Sequence, residues 1–217
     1  MSSALVPTPT VYVVDDDPAV LKAVSRLLRA AGFHVCAFSS PQRFLDQHDP
    51  GAAAAACLVL DLAMPALSGL ELQQMLTTAG ESMPVIFLTG RADVPASVQA
   101  MKQGAADFLT KPIERDQLLS AVRAALTKDR TARMARDEVA DIRRRISSLT
   151  PRECEVFEHV ISGKLNKETA AELGAAEKTI KVHRGRVMDK MQVKSVAELV
   201  RLADRAGVAL ATAPLPT

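Results

Sequence analysis

The chain has few cysteines and no long apolar run, and both shortages restrict the class of protein. Its 217 residues include three cysteines, Cys36, Cys57 and Cys154. Because they are odd in number and far apart, they predict buried thiols in a reducing cytosol rather than disulfides or a zinc site. No segment has a signal-peptide pattern or roughly 18 consecutive apolar residues, so we expect a cytoplasmic protein that does not enter a membrane.

Charge of either sign is nearly balanced over the whole chain but not along it. The net charge is +2. Lys and Arg number 9 against 12 Asp and Glu in residues 1–127, 7 against 4 in 128–148, and 11 against 9 in 149–217. The length is sufficient for two hydrophobic cores. The basic remainder after the acidic first half favours a nucleic-acid partner.

Short apolar runs alternate with helical patterns in the first half. The predicted strands are 11–14, 34–38, 57–60, 85–88 and 106–109, and the predicted helices are 18–31, 41–48, 69–79, 94–103 and 114–127. This alternation indicates parallel βαβ units with right-handed crossovers. Asp17 before Pro18 predicts a helix N-cap, and Ser68 with Glu71 predicts a capping box.

Polar side chains follow four of the predicted strands. Asp15 and Asp16 follow the first, Asp61 the third, Thr89 the fourth and Lys111 the fifth. The carboxyl ends of parallel strands meet at one edge of a sheet, so we expect one cleft to hold these groups. Carboxylates without neighbouring thiol or imidazole favour Mg²⁺. With the metal and a lysine to neutralise charge, an aspartate can accept a phosphoryl group, and we predict that Asp61 does so.

These motifs resemble, in order and spacing, the receiver domain of two-component response regulators. The residues that carry the resemblance are Asp15-Asp16, Asp61, Met64-Pro65, Ser68-Gly69, Thr89-Gly90 and Lys111-Pro112. The resemblance implies an α/β, doubly wound, flavodoxin-like sheet of five parallel strands in the order 2-1-3-4-5.

The same resemblance implies a role for each site residue. Asp16 and Asp61 would bind Mg²⁺ directly, together with the backbone carbonyl of Ala63, and Asp15 would act through water. Lys111 would pair with the phosphoryl group. Thr89 and Phe108 would be the hydroxyl and the aromatic ring of the conformational switch.

Residues 114–148 contain neither glycine nor an internal proline. Their composition predicts one long helix of roughly 50 Å. Its apolar positions, Met134, Val139, Ile142 and Ile146, are irregularly spaced. This spacing favours a solvated linker helix over a sustained coiled coil.

The second half reads as helix, turn and helix. Thr150 and Glu153 predict a capping box at the start of a first helix, and a short second helix is predicted to end near Gly174. A basic helix follows from Lys178 to Met191. The capping box of Ser195 and Glu198 predicts the start of a last helix. At about 100° per residue, one stripe of the basic helix holds Ile180, His183, Val187 and Met191. The other side carries Lys178, Lys181, Val182, Gly185 and Arg186. We expect the first stripe to pack on the scaffold and the second to enter a major groove.

Three motifs here resemble the LuxR-type DNA-binding domain of the FixJ/NarL class of response regulators. They are Leu149–Glu153, Asn166–Glu168 and Thr179–Arg184. The resemblance implies that Lys181, Val182 and Gly185 face bases, and Gly185 stands where some relatives present a long side chain. It also implies that phosphates are held by Lys178, Thr179, Arg184 and Arg186.

We therefore expect a receiver domain over 1–127, a helical linker over 128–148, and an all-α, four-helix LuxR-type domain over 149–217. The expected function is that of a bacterial transcription regulator activated when Asp61 accepts a phosphoryl group from a sensor histidine kinase. Its other expected partners are double-stranded promoter DNA, a second copy joined through about Val94–Phe108 on phosphorylation, and, as a further candidate, RNA polymerase. No enzyme activity beyond self-dephosphorylation is expected.

Two alternatives belong to other classes. A Mg²⁺-dependent phosphohydrolase would use Asp61 as nucleophile, but such enzymes typically have a second acid two residues later, where this chain has Ala63. A protein-interaction module that has lost DNA binding is opposed by the basic face of the 178–191 helix.

Overall fold

A computed structural model describes residues 8–51, 54–90, 98 and 100–208. The chain divides into two units, residues 1–133 and 134–217, each with its own hydrophobic core.

The first unit is built on a parallel sheet. Its strands are β1 (Thr10–Val14), β2 (His34–Phe38), β3 (Ala56–Asp61), β4 (Val85–Thr89) and β5 (Asp107–Thr110). All pairings are parallel and the order is β2-β1-β3-β4-β5, as predicted. Every residue of β3 and β4 is buried, because helices cover both faces of such a sheet.

Side chains of each strand alternate between two cores. Val11 and Val13 of β1 enter one core, and Tyr12 and Val14 enter the other. The helices that cover the sheet include α1 (Pro18–Ala30), α2 (Pro41–Gln47) and α3 (Gly69–Thr78). Of the helix predicted for 94–103, the structure describes only residues 98 and 100–103, and residues 98 and 100–102 are helical.

Capping residues start these helices where the sequence predicts. The Asp17 carboxylate accepts hydrogen bonds from the backbone N–H groups of Ala19 and Val20. Ser68 and Glu71 form the reciprocal capping box of α3. Because these contacts involve residues only two or three positions apart, local sequence is enough to specify them.

One helix, α4 (Arg115–Ser147), covers nearly all of the stretch predicted as a single helix. The expectation that it is solvated is wrong for its last turns. Ile142 is only 2% exposed and lies in the core of the second unit, and Ile146 packs against the same core. Met134, by contrast, is exposed. Of the irregularly spaced apolar residues, those that pack in the core of the second unit are therefore the two near the C-terminal end of the helix, Ile142 and Ile146.

Four helices follow in the described part of the second unit, as expected. They are α5 (Pro151–Ile161), α6 (Asn166–Glu172), α7 (Glu177–Met191) and α8 (Val196–Arg205). The predicted box of Thr150 and Glu153 is present. At the start of α8, Ser195 caps the helix, but Glu198 accepts from Lys194 N at 3.0 Å. The hydrogen bond to Glu198 therefore comes from the backbone N–H of Lys194 and not, as the capping box predicts, from that of Ser195.

The cysteine environments agree only in part with the prediction of buried thiols. Cys57 is buried, Cys36 and Cys154 are half-buried, and none forms a disulfide. Burial raises the pKa of the Cys57 thiol to about 12, so this thiol stays protonated at neutral pH. Among the described helices, none combines the length and the apolar character needed to span a bilayer.

Candidate functional site

The sheet register brings four strand ends together in the first unit. Val14 of β1 pairs with Leu60 of β3, so Asp15 and Asp61 are next to each other at the same edge. Thr89 of β4 pairs with Thr110, the last residue of β5, so Lys111 follows β5 at the same edge of the sheet. The cleft predicted from the sequence is therefore present.

Lys111 joins two carboxylates in this cleft. Its Nζ donates to Asp15 Oδ2 at 2.8 Å and to Asp61 Oδ1 at 2.9 Å. The Asp15 side chain is fully buried, and its other oxygen accepts from the backbone N–H of Asp17 at 2.9 Å. Asp15 is thus held through both oxygens, and it orients Lys111 towards Asp61.

Burial and the ion pairs act in opposite directions on these groups. Burial raises the pKa of Asp61, and the hydrogen bond from Lys111 offsets only part of that effect. For Lys111, burial favours the neutral amine, but the hydrogen bonds with Asp15 and Asp61 outweigh it, so its pKa is raised. Lys111 therefore keeps its positive charge at neutral pH.

Three carboxylates in the cleft suit a hard cation. One oxygen each of Asp15, Asp16 and Asp61 lies within 4.8 Å of the others. Asp16 is exposed, whereas the other two are buried. An all-oxygen set open to water on one side fits a cation such as Mg²⁺, which retains several waters. Ala63 lies in the loop that follows β3, and its backbone ligand role stays a prediction.

Gly69 makes a close backbone contact that the motif alone did not explain. A Cβ atom at this position would lie 2.4 Å from the carbonyl oxygen of Asp61 and 3.0 Å from the ring of Phe87. The Gly69 N–H also donates to Leu62 O at 3.0 Å. The first turn of α3 therefore packs directly against the end of β3, and only glycine leaves room for it.

Thr89 and Phe108 are close to the cleft but have different surroundings. Thr89 is 4% exposed, and its carbonyl accepts from Lys111 N at 2.6 Å. Phe108 is half-buried, and its ring centroid lies 6.4 Å from that of Phe87. Their roles as switch residues stay predictions.

The basic helix α7 of the second unit has the two faces predicted by phase. Ile180, Val187 and Met191 are fully buried, and His183 is half-buried. The opposite face is exposed and consists of Lys178, Thr179, Lys181, Val182, Gly185 and Arg186. Val182 is 49% exposed, which is unusual for a large aliphatic side chain and suits contact with a thymine methyl group.

Arg184 differs from the cations on the exposed face of α7, Lys178, Lys181 and Arg186. It is half-buried, and its Nη1 donates to Asn166 Oδ1 of α6 at 3.0 Å. Among the described residues, no other side-chain hydrogen bond joins these two helices. Arg184 thus has an intramolecular partner that the sequence pattern did not reveal, and its predicted phosphate contact remains untested.

Comparison with known proteins identifies both units. Residues 11–123 match the family described as the response regulator receiver domain. Residues 147–203 match the family of bacterial regulatory proteins of the luxR type. The chain belongs to the LuxR-type response regulators. It is therefore a transcription regulator by family, as the motifs indicated.

Three similar proteins illustrate the match along this response regulator. It is 45% identical over 195 residues to the response regulator protein TmoT of Ectopseudomonas mendocina, over 90% of this chain and 88% of TmoT. It is 43% identical over 198 residues to the transcriptional regulatory protein FixJ of Bradyrhizobium diazoefficiens, over 91% of this chain and 96% of FixJ. The solved structure of the response regulator StyR is 44% identical, with a TM-score of 0.84 over 91% of this chain and 99% of that one.

The end of α4 in this response regulator supplies contacts that the sequence reasoning missed. Arg143 donates through Nε and Nη2 to Ala206 O, each at 3.2 Å, at the C-terminus of α8. Arg145 donates to Met191 O at 3.2 Å, the C-terminal residue of α7. Cations at helix C-termini satisfy carbonyls that have no partner within the helix. The run of arginines from 143 to 145 is the only signal in the sequence for these contacts.

Proposed function

We propose that Asp61 accepts a phosphoryl group from a histidine of a sensor kinase. The observation that carries this proposal is the ion-pair triad in which Lys111 Nζ contacts both Asp15 and Asp61. An Asp61 oxygen would attack phosphorus, forming a P–O bond as the P–N bond to the kinase histidine breaks and that nitrogen keeps the electron pair. The fixed ammonium of Lys111 remains within reach of a phosphoryl oxygen throughout.

Mg²⁺ is the cofactor that this donor set fits. Asp16, Asp61 and the Ala63 carbonyl would bind it directly, and Asp15 would act through water. When bound, it neutralises charge on the phosphoryl oxygens. Asp15 contributes further by fixing Lys111. Apart from slow hydrolysis of its own phosphoryl group, the protein catalyses no reaction on another molecule.

The phosphoryl group then shifts an existing equilibrium of the receiver. It adds roughly two negative charges beside Lys111 and provides acceptors for the Thr89 hydroxyl, and Phe108 moves with Thr89. The active state dimerises through about Val94–Phe108, a surface that lies partly outside the described residues. In this proposal the receiver is 1–127, the linker 128–148 and the DNA-binding domain 149–217.

The dimer delivers two copies of α7 to two half-sites of promoter DNA in the cytoplasm, where it acts on RNA polymerase. Lys181, Val182 and the backbone at Gly185 face bases, while Lys178, Thr179, Arg184 and Arg186 hold phosphates. The exposed face of α7 and the burial of its other face support this assignment for all of these residues except Arg184, which is half-buried and bonded to Asn166.

Phosphoryl labelling tests the proposed acceptor. The full chain is incubated with Mg²⁺ and acetyl phosphate, and intact-protein mass spectrometry follows incorporation. We expect labelling of the wild type, none of Asp61→Asn, and normal labelling of the control Asp17→Asn, which keeps the helix cap. Labelling of Asp61→Asn at the wild-type level would overturn the assignment.

Sedimentation velocity on the same samples tests activation by dimerisation. The labelled wild type should sediment as a dimer and the unlabelled protein as a monomer. If the two samples have the same oligomeric state, the dimerisation step is wrong even though Asp61 is the acceptor.

A further inference from the structure

Helix α1 carries a row of cations that are not among the residues of the phosphoryl cleft. Between Pro18 and Leu45 the chain has four cationic side chains and no carboxylate. The remainder of residues 1–127 has five cationic side chains and twelve carboxylates. A strongly basic segment within an acidic unit produces a local positive potential.

Three of these cations share one face of α1. Lys22, Arg26 and Arg29 are four and three residues apart, which places them in a row about 10 Å long. All three are exposed. In the part of the chain that the structure describes, none of the three forms an ion pair. Arg29 is oriented by a hydrogen bond from Nη2 to Val35 O at 3.1 Å.

The row borders a groove between α1 and the edge strand β2. The groove has a volume of about 510 Å³, and aliphatic groups of Pro18, Leu21 and Ala37 contribute to its walls. Ser25 also lines it, and the buried Ser25 Oγ has no hydrogen-bond partner. The groove thus combines an apolar surface with cations along one side.

This combination discriminates between classes of anion. The cations are spread along a row and do not converge, so one small anion cannot contact all three. None of the groove residues is aromatic, so there is no platform for stacking bases of a single-stranded nucleic acid. Two of the apolar residues of α1, Val24 and Leu28, are buried in the core and are not available to a lipid surface.

We propose that the α1–β2 groove binds an acidic amphipathic segment of a partner protein. A helix running along α1 and carrying carboxylates at i, i+4 and i+7 would match the spacing of the three cations, because both helices have the same rise. Aliphatic side chains on the adjacent face of that segment would cover Leu21 and Ala37. Charge complementarity selects the partner, and the apolar contact contributes to its affinity.

A designed peptide tests the groove in the full-length protein. The probe is a fluorescent helical peptide of about 18 residues with glutamates at the stated spacing and leucines beside them, and the reference peptide has glutamine in place of glutamate. Anisotropy titrations compare the wild type with Lys22→Gln/Arg26→Gln. The matched control is Arg123→Gln/Lys128→Gln, which removes two exposed cations elsewhere.

We expect the acidic peptide to bind the wild type and the control alike and to bind Lys22→Gln/Arg26→Gln about tenfold more weakly. The reference peptide should bind all three weakly. Backbone amide shifts on titration should be largest around Ala37 and along α1. The proposal is wrong if the wild type does not bind the acidic peptide, or if both double variants bind that peptide more weakly than the wild type by the same factor. Stronger binding of duplex DNA or anionic vesicles through Lys22 and Arg26 would also overturn it.

Discussion

Replacement of Asp129 should destabilise the receiver, although this residue lies on α4 beyond the end predicted for the receiver. The Asp129 side chain is fully buried. Its Oδ2 accepts from the backbone N–H of Ala56 at 2.8 Å and from Arg133 Nε at 2.6 Å. Ala56 is the first residue of β3, whose last residue is Asp61. Asp129 thus fastens the helix to the strand that carries the proposed phosphoacceptor.

The magnitude follows from the groups that Asp129→Ala would leave without this acceptor. Ala56 is 4% exposed, so its N–H would be buried without its carboxylate, at a cost of about 1–3 kcal/mol. The ion pair with the half-exposed Arg133 contributes about 0.5–1 kcal/mol after solvent screening. We expect a total loss of about 1.5–4 kcal/mol. Asp129→Asn should lose about half of that, because its carbonyl can still accept.

Tyrosine emission offers a selective assay. The chain has no tryptophan and one tyrosine, and Tyr12 lies in the core of the first unit. Urea unfolding followed at the tyrosine therefore reports on that unit. The control is Asp137→Ala, an exposed residue of the same helix, which should change stability by less than about 0.5 kcal/mol. Equal stabilities of Asp129→Ala and Asp137→Ala would refute the reasoning.

Three further predictions concern other contacts. Lys190 and the N-terminal turn of α5 lower the pKa of Glu153 from 4.5 to about 2. The carboxylate therefore stabilises the fold above pH 4.5, and this stabilisation is lost as the pH falls towards 2. In calorimetric melting, the stability of Glu153→Gln should depend less on pH in this range than that of the wild type. Gly69→Ala should cost about 1–3 kcal/mol and slow phosphoryl labelling, because the added Cβ displaces the backbone of Asp61; unchanged melting and labelling would contradict this. Asn166→Ala and Arg184→Ala should be non-additive in DNA-binding titrations by about 0.5 kcal/mol or more, whereas full additivity would mean that their hydrogen bond does not position α7.

Local pattern was sufficient for most of the fold and for the cleft. Strands end where apolar runs meet Asp15, Asp61 and Thr89, and parallel strands necessarily bring such ends together. The two faces of α7 were predictable for the same reason, because helical phase determines them. In each case a short stretch of sequence and a fixed backbone period contain the necessary information.

Contacts between distant side chains were not predictable in this way. Asp129 and Ala56 are 73 residues apart, and Arg143 and Ala206 are 63 apart. No sequence periodicity links such positions, so the sequence predicts that the charged residues of α4 face solvent. The burial of Ile142 was missed because the apolar positions of α4 lack a regular spacing when their partners belong to other helices.

The most direct test of the account is whether the phosphoryl group on Asp61 controls DNA binding by α7. Sites occupied in the cell would first be mapped, and one bound promoter fragment would then be titrated with the full chain, with and without acetyl phosphate and Mg²⁺. The account predicts that the phosphodonor tightens binding of the wild type and leaves Asp61→Asn unchanged. Equal tightening in both proteins, or none in the wild type, would contradict it.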